Sequence, residues 1–218
     1  MTEKTGVSMA DLAVVRGVAL LDLLERADPA ALDPALDADT LVGKVNLAAL
    51  GKDGFRRLLA VLVRLESAVP ALSLRRVDPQ RFATLVGRVS NTQLDRVLAE
   101  PELRARMLDE IFDRMSAQLR TERARDLDAV VHWRFSGGAG GGGFDRVETV
   151  IRNAECVARR ELLEQPRVTI TIAPADFVKL VTRQTTPAVL FVTGRIKVKG
   201  DLAFATGLIG FFDLPEPS

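Results

Sequence analysis

At 218 residues, the chain is long enough for one large domain or two small ones. Hydrophobic residues at 47% and charged residues at 27% exclude an intrinsically disordered chain. A net charge of +1 supplies no general field for nucleic acid, and the single Cys156 excludes an internal disulfide.

Residues 1–8 read as a frayed end. From Met9 to Arg26, the residues Leu12, Val15, Ala19, Leu23 and Arg26 recur at steps of three and four, with Val18 and Leu21 widening the stripe. The pattern predicts one amphipathic helix, stopped before Pro29. Its run from Leu12 to Leu24 carries Arg16 and Asp22 and is too short and too charged to span a bilayer. The N-terminus lacks the basic region, apolar core and small-residue site of an export signal, so the expected compartment is a bacterial cytoplasm.

Residues 28–40 read as a loop with short turns. Leu41-Val42-Gly43-Lys44-Val45 is then echoed by Leu85-Val86-Gly87-Arg88-Val89, and each copy precedes a further helical pattern, Gly54 to Ser67 and Pro101 to Leu119. A helix–loop–helix duplication and chance similarity of aliphatic segments both fit. Either way, residues 9–119 read as helix throughout.

The texture changes near Asp128. Val131, Trp133 and Phe135 alternate with His132 and Arg134, predicting a strand; Phe144 to Arg152, Ala154 to Arg160 and Val168 to Ala173 predict three more. Pro174 opens a helix with Phe177, Leu180 and Val181 on one face. Residues Pro187 to Val192 fit a helical turn or a strand. A fifth strand follows from Thr193 to Lys199, with Ile196 and Val198 on its apolar face.

Catalytic and metal chemistry find no cast. Gly138, Gly140 and Gly143 match the spacing of a dinucleotide fingerprint, but Phe144 onward alternates like a strand, whereas that motif needs a helix N-terminus against the phosphates. The run reads as a hairpin loop. His132, the only histidine, falls on the polar phase of its strand and is expected to face solvent. One His and one Cys without a carboxylate cluster predict no metal site, and no residue is assigned a catalytic role. Arg195, Lys197 and Lys199 read as a solvated strand face, with contact to anionic headgroups or an acidic partner as the other reading.

The final unit is Gly194-Arg195-Ile196-Lys197-Val198-Lys199-Gly200-Asp201-Leu202-Ala203-Phe204-Ala205: an alternating strand, a glycine break, and an aspartate placed to cap a helix. Leu202, Ala205 and Ile209, and Phe204, Leu208 and Phe212, then recur at helical spacing. Such stripes read as core. Gly207 and Gly210 loosen this helix, however, so a lid over a ligand cavity is the alternative.

The ordered set of Pro166-to-Ala173 strand, Asp176-to-Val181 helix, Gly-strand-Gly-Asp and closing helix resembles the sterol carrier protein 2 (SCP-2) domain, over roughly residues 105–213. The resemblance implies an α+β fold: a five-stranded, mostly antiparallel sheet with helices on one face, here residues 101–218, preceded by an all-α domain, residues 1–100. It implies non-covalent binding, and intracellular transfer, of a lipid such as a sterol, fatty acid or acyl-CoA between sheet and helices, without enzymatic activity or cofactor. The lining residues so implied are Trp133, Phe135, Ile170, Ile172, Phe177, Leu180, Val181, Leu190, Phe191, Ile196, Val198, Leu202, Ala205, Leu208, Ile209 and Phe212. The chain ends Pro-Glu-Pro-Ser, which is not the peroxisomal tripeptide carried by eukaryotic members. Expected partners are thus a lipid or acyl ligand and, transiently, a membrane surface, with homo-oligomers through the helical half left open. The alternative is a non-enzymatic scaffold whose cavity is filled and whose helical half binds a partner.

Overall fold

A helical hydrophobic period before Leu119 and an alternating one after Asp128 become two units in the computed structural model, which describes residues 6–214. The division falls between Arg104 and Ala105. The terminal Pro-Glu-Pro-Ser lies outside the described residues, as do residues 1–5 of the expected frayed end.

The helices of the first unit are α1 (Met9–Val14), α2 (Gly17–Arg26), α3 (Ala38–Gly43), α4 (Gly54–Leu65), α5 (Pro79–Gly87) and α6 (Asn91–Leu98). The single helix expected over residues 9–26 is in fact two. Val15 and Arg16 are extended and end the first helix, and Gly17, with φ of 59°, starts the second from a left-handed conformation. Nor is the segment before α1 frayed at its inner end, since Val7 is buried and bridges Leu32. Buried faces of α2 (Leu20, Leu21, Leu24) and α4 (Phe55, Leu58, Leu62, Leu65) supply much of this core. Across them, Arg57 Nη2–H donates to Glu25 Oε2 at 2.7 Å and Arg64 Nη2–H to the Leu24 carbonyl at 2.6 Å. The sequence echo has a structural counterpart: α3 and α5 each end on its glycine, with Lys44 and Arg88 as C-caps, and they pack together. The helices next in the chain differ in length, 12 residues in α4 and 8 in α6.

Helix α7 (Pro101–Ala117) runs into the second unit, followed by α8 (Thr121–Ala124) and the strands β1 (Ala129–Ser136), β2 (Phe144–Arg152), β3 (Glu155–Arg159) and β4 (Val168–Ile172). Then come α9 (Pro174–Val181), α10 (Pro187–Val192), β5 (Ile196–Gly200) and α11 (Leu202–Gly207). The strand order is β3-β2-β1-β4-β5, with β1–β4 parallel and every other pairing antiparallel. The sheet is therefore mixed but mostly antiparallel. The glycine run is a hairpin loop between β1 and β2, closed by Gly138 N–H on the Gly143 carbonyl at 3.0 Å.

Period-two alternation gives the sheet two unlike faces. Register aligns Trp133 with Val147 and Ile170, Phe135 with Ile172, and Ile172 with Ile196 on one face. That face is buried beneath α7 and α9, whose Phe112 and Phe177 meet Trp133 with ring centroids 5.7 and 5.1 Å apart. Trp133 Nε1–H donates to Thr149 Oγ1 at 3.0 Å, which satisfies the one polar atom of that ring. A fragment spanning 100–218 should accordingly unfold cooperatively in urea. One starting at Asp128 lacks Phe112 and should not, and equal cooperativity of the two would place the boundary elsewhere.

The opposite face carries His132, Arg134, Arg146, Glu148, Thr169, Thr171, Lys197 and Lys199. His132 does lie on this polar phase, yet it does not point into solvent. Its Nε2–H donates to Glu148 Oε2 at 2.9 Å, and the Glu148 side chain is fully buried. Burial alone would raise the Glu148 pKa. The Glu164 N–H and the side chains of Arg159 and His132 outweigh that and hold it at about 2. The Leu163 and Glu164 amides both donate to Glu148 Oε2, at 3.0 and 2.9 Å, so one carboxylate ties the loop before β4 to the centre of the sheet.

Candidate functional site

The turn into α11 forms as its residues dictate. Gly200 has φ of 106°, and a Cβ there would lie 2.4 Å from the Arg167 carbonyl oxygen, so only glycine fits. Asp201 caps α11, accepting from Phe204 N–H at 2.9 Å through one oxygen and from Arg167 Nη2–H at 2.7 Å through the other. Those two partners, the amide first, hold its carboxyl below the ordinary value. The closing helix is shorter than its periodicity predicts: α11 stops at Gly207 and a 3₁₀ turn carries Leu208–Phe211.

The end of this segment is pinned, not loose. Leu119 bridges Phe212, Arg120 N–H donates to the Phe211 carbonyl at 2.7 Å, and Asp213 N–H donates to the Gln118 carbonyl at 2.8 Å. Beside this pairing lies a cleft of about 350 Å³, lined by Arg120, Leu180, Arg183, Thr185, Thr186, Pro187, Ile209, Gly210 and Phe212. Its apolar wall comes from the end of α9, the start of α10 and the 3₁₀ turn. Its polar lining comes from Arg120, Arg183, Thr185 and Thr186. Arg120 Nη2–H donates to Asp213 Oδ1 at 2.9 Å. Arg183 sits just past the end of α9 with φ of 56°, in the left-handed region where glycine is usual, while Gln184 N–H closes the turn on the Lys179 carbonyl at 2.8 Å.

Of the expected lining residues, the cleft brings together Leu180, Ile209 and Phe212. Trp133, Phe135, Ile170, Ile172 and Phe177 are instead buried against each other and Phe112 in the space between sheet and helices. Val181, Leu190, Ile196, Ala205 and Leu208 are also buried, and Val198 is half-buried. Phe191 and Leu202 lie on the surface, 51% and 46% exposed. Arg120, Arg183, Thr185 and Thr186 are not foreseeable as lining residues: none belongs to an apolar stripe, and the left-handed turn at Arg183 carries no glycine to announce it.

Burial pushes the Cys156 thiol pKa up, against the character of a nucleophile. Among the described residues there is no group of three or more His, Cys, Asp or Glu that could hold a metal ion, and no helix is long and apolar enough to cross a membrane. Residues 108–213 match the SCP-2 sterol transfer family. Hydroxysteroid dehydrogenase-like protein 2 from Bos taurus is 24% identical over 139 residues, 64% of this chain and 31% of that protein. Among solved structures, the stereoselective inverting sec-alkylsulfatase Pisa1 from Pseudomonas sp. is 20% identical, with a TM-score of 0.47 over 91% of this chain and 28% of the sulfatase. The apo form of Sterol Carrier Protein 2 from Yarrowia lipolytica is 18% identical, with a TM-score of 0.39 over 51% of this chain and 91% of the other. The chain thus spans less than a third of the first two of these proteins.

Proposed function

From the match of residues 108–213 to the SCP-2 sterol transfer family, we propose that the second unit binds a single-chain anionic amphiphile, a fatty acid or its thioester, and passes it on without a covalent step. The observation that carries this reading is the cleft, about 350 Å³ with Leu180, Pro187, Ile209 and Phe212 on its wall and Arg120 and Arg183 on its edge. That volume is at the lower end of small-molecule sites, roughly 300–1,000 Å³. Burial of hydrocarbon contributes about 0.8 kcal/mol per CH₂, and the guanidinium edge favours a carboxylate or phosphate head over a neutral one.

Arg183→Gly isolates the head-group contribution. Glycine accepts the left-handed φ of 56° without strain, so the unfolding midpoint should hold or rise. Affinity for a fluorescent fatty acid should fall roughly tenfold, the loss of one charge-assisted hydrogen bond, and affinity for the matching fatty alcohol should not change. Equal losses for acid and alcohol would remove Arg183 from head-group recognition.

One observation favours a second reading. Phe112, Trp133, Phe135 and Phe177 fill the space between sheet and helices. If the cleft too proves unable to take a chain, the unit is a packed scaffold and the helical unit the binding partner of another protein.

A further inference from the structure

Helix α10 is anchored by one residue. Leu190 is 1% exposed, whereas Val189, Phe191 and Val192 are 54%, 51% and 86% exposed. Three large apolar side chains on a six-residue helix are more than scattered surface hydrophobes. Arg195 N–H and Gly194 N–H donate back to the Leu190 and Phe191 carbonyls at 2.8 and 3.0 Å, which closes the end of the helix and turns the chain into β5.

The exposed charge on the strand that follows this apolar tip is cationic. Strand β5 leaves α10 directly, and its Lys197 and Lys199 are exposed on the open face of the sheet. Register places Lys197 across from Thr171, Thr171 from Arg134, and Arg134 from Arg146, a row at the α10 end of the sheet. Arg134 lies over the Phe144 ring at 4.2 Å, and Arg146 Nη2–H donates to the Gly141 carbonyl, so both keep their charge uncompensated by these contacts. The acidic groups at this end are Asp176, paired with Arg195, and Asp145 at the start of β2.

We propose that α10 and the adjoining cationic row form a docking surface for an anionic lipid bilayer, with Val189, Phe191 and Val192 entering the interface and Lys197, Lys199 and Arg134 against the headgroups. Two signals of this kind, an apolar insertion and a basic patch, are what reversible membrane attachment requires. The surface adjoins the cleft, since Thr186 and Pro187 at the head of α10 are part of the cleft wall. Docking would bring the cleft to the bilayer, a role that rests on the lipid-binding reading above.

Co-sedimentation with vesicles of equimolar phosphatidylcholine and phosphatidylglycerol, against phosphatidylcholine alone, tests the surface with the full chain. The protein should pellet with the anionic vesicles only, and high salt should release it. Lys197→Glu with Lys199→Glu should weaken partitioning about 25-fold or more, from roughly fivefold per charge. Val189→Ser with Val192→Ser should weaken it at least about tenfold. All four positions are exposed, so both variants should melt as the parent does. Wild-type protein left in the supernatant with anionic vesicles, or either folded variant pelleting as the parent does, would overturn the proposal. Fatty-acid titration without vesicles keeps the two readings apart. Vesicle binding with no fatty-acid binding supports the docking surface and sinks the cleft; fatty-acid binding with no vesicle binding does the reverse.

Discussion

Glu148→Ala should destabilise the second unit by about 3–5 kcal/mol, the usual cost of removing one partner from a buried ion pair. The substitution removes the acceptor of His132 and of the Leu163 and Glu164 amides, and leaves Arg159 with Glu164 as its remaining carboxylate. The pH dependence comes from the same contacts. A carboxyl lowered from 4.5 to about 2 contributes stability that is fully present above pH 4.5 and is lost as pH falls toward 2. Urea unfolding between neutral pH and pH 2 should therefore show a steep acid loss in the parent and a flatter one in Glu148→Ala. Parallel curves would mean that this carboxylate titrates normally in the folded protein.

Phe177→Ala should cost about 3–5 kcal/mol, because it opens a cavity that the surrounding rings cannot fill. Phe177 is fully buried, with Phe112, Trp133 and Phe135 ring centroids at 5.2, 5.1 and 5.0 Å. A loss of that size takes a large share of a domain's total stability. Phe191→Ala provides the contrast: half its surface is in water, and the expected change is within about 0.5 kcal/mol. If Phe177→Ala leaves the midpoint unchanged and alters lipid affinity instead, the aromatic cluster opens to ligand and the interior is not filled.

The second unit is legible in sequence because its signals are local and strong. Alternation at Val131, Trp133 and Phe135, the glycine hairpin, and Gly200-Asp201 each specify a backbone conformation within a few residues. Helix α9 opens at Pro174 as its pattern specifies, whereas β5 starts at Ile196 and not at Thr193, and α11 ends early at Gly207. The helical unit is less legible. Hydrophobic spacing from Met9 to Arg26 is continuous, and what divides it is backbone conformation: Val15 and Arg16 are extended and Gly17 is left-handed. Helix α6 has the capping box Ser90–Gln93, a signal present in the sequence but overshadowed by the echo just before it. Alternation puts His132 on the correct strand phase but in the wrong environment, because its partner Glu148 reaches it only through the β1–β2 register. The cleft is hardest to read. A stripe such as Leu202, Ala205 and Ile209 has the same spacing whether it seals a core or borders a cavity. Which it does depends on where Arg120 and the α9–α10 turn come to rest, and neither is encoded nearby.

If the cleft holds a lipid chain against Ile209, a polar residue there will separate binding from folding. Ile209 is half-buried on the cleft wall, beside the fully buried Leu208. For Ile209→Ser, two quantities are measured: the unfolding midpoint without ligand, and the dissociation constant for a fluorescent fatty acid. The first should change little and the second should rise roughly tenfold or more, since about 1.4 kcal/mol of lost contact is a factor of ten. A collapse of stability at unchanged affinity, or a parent protein that binds no fatty acid, would contradict lipid binding in the cleft.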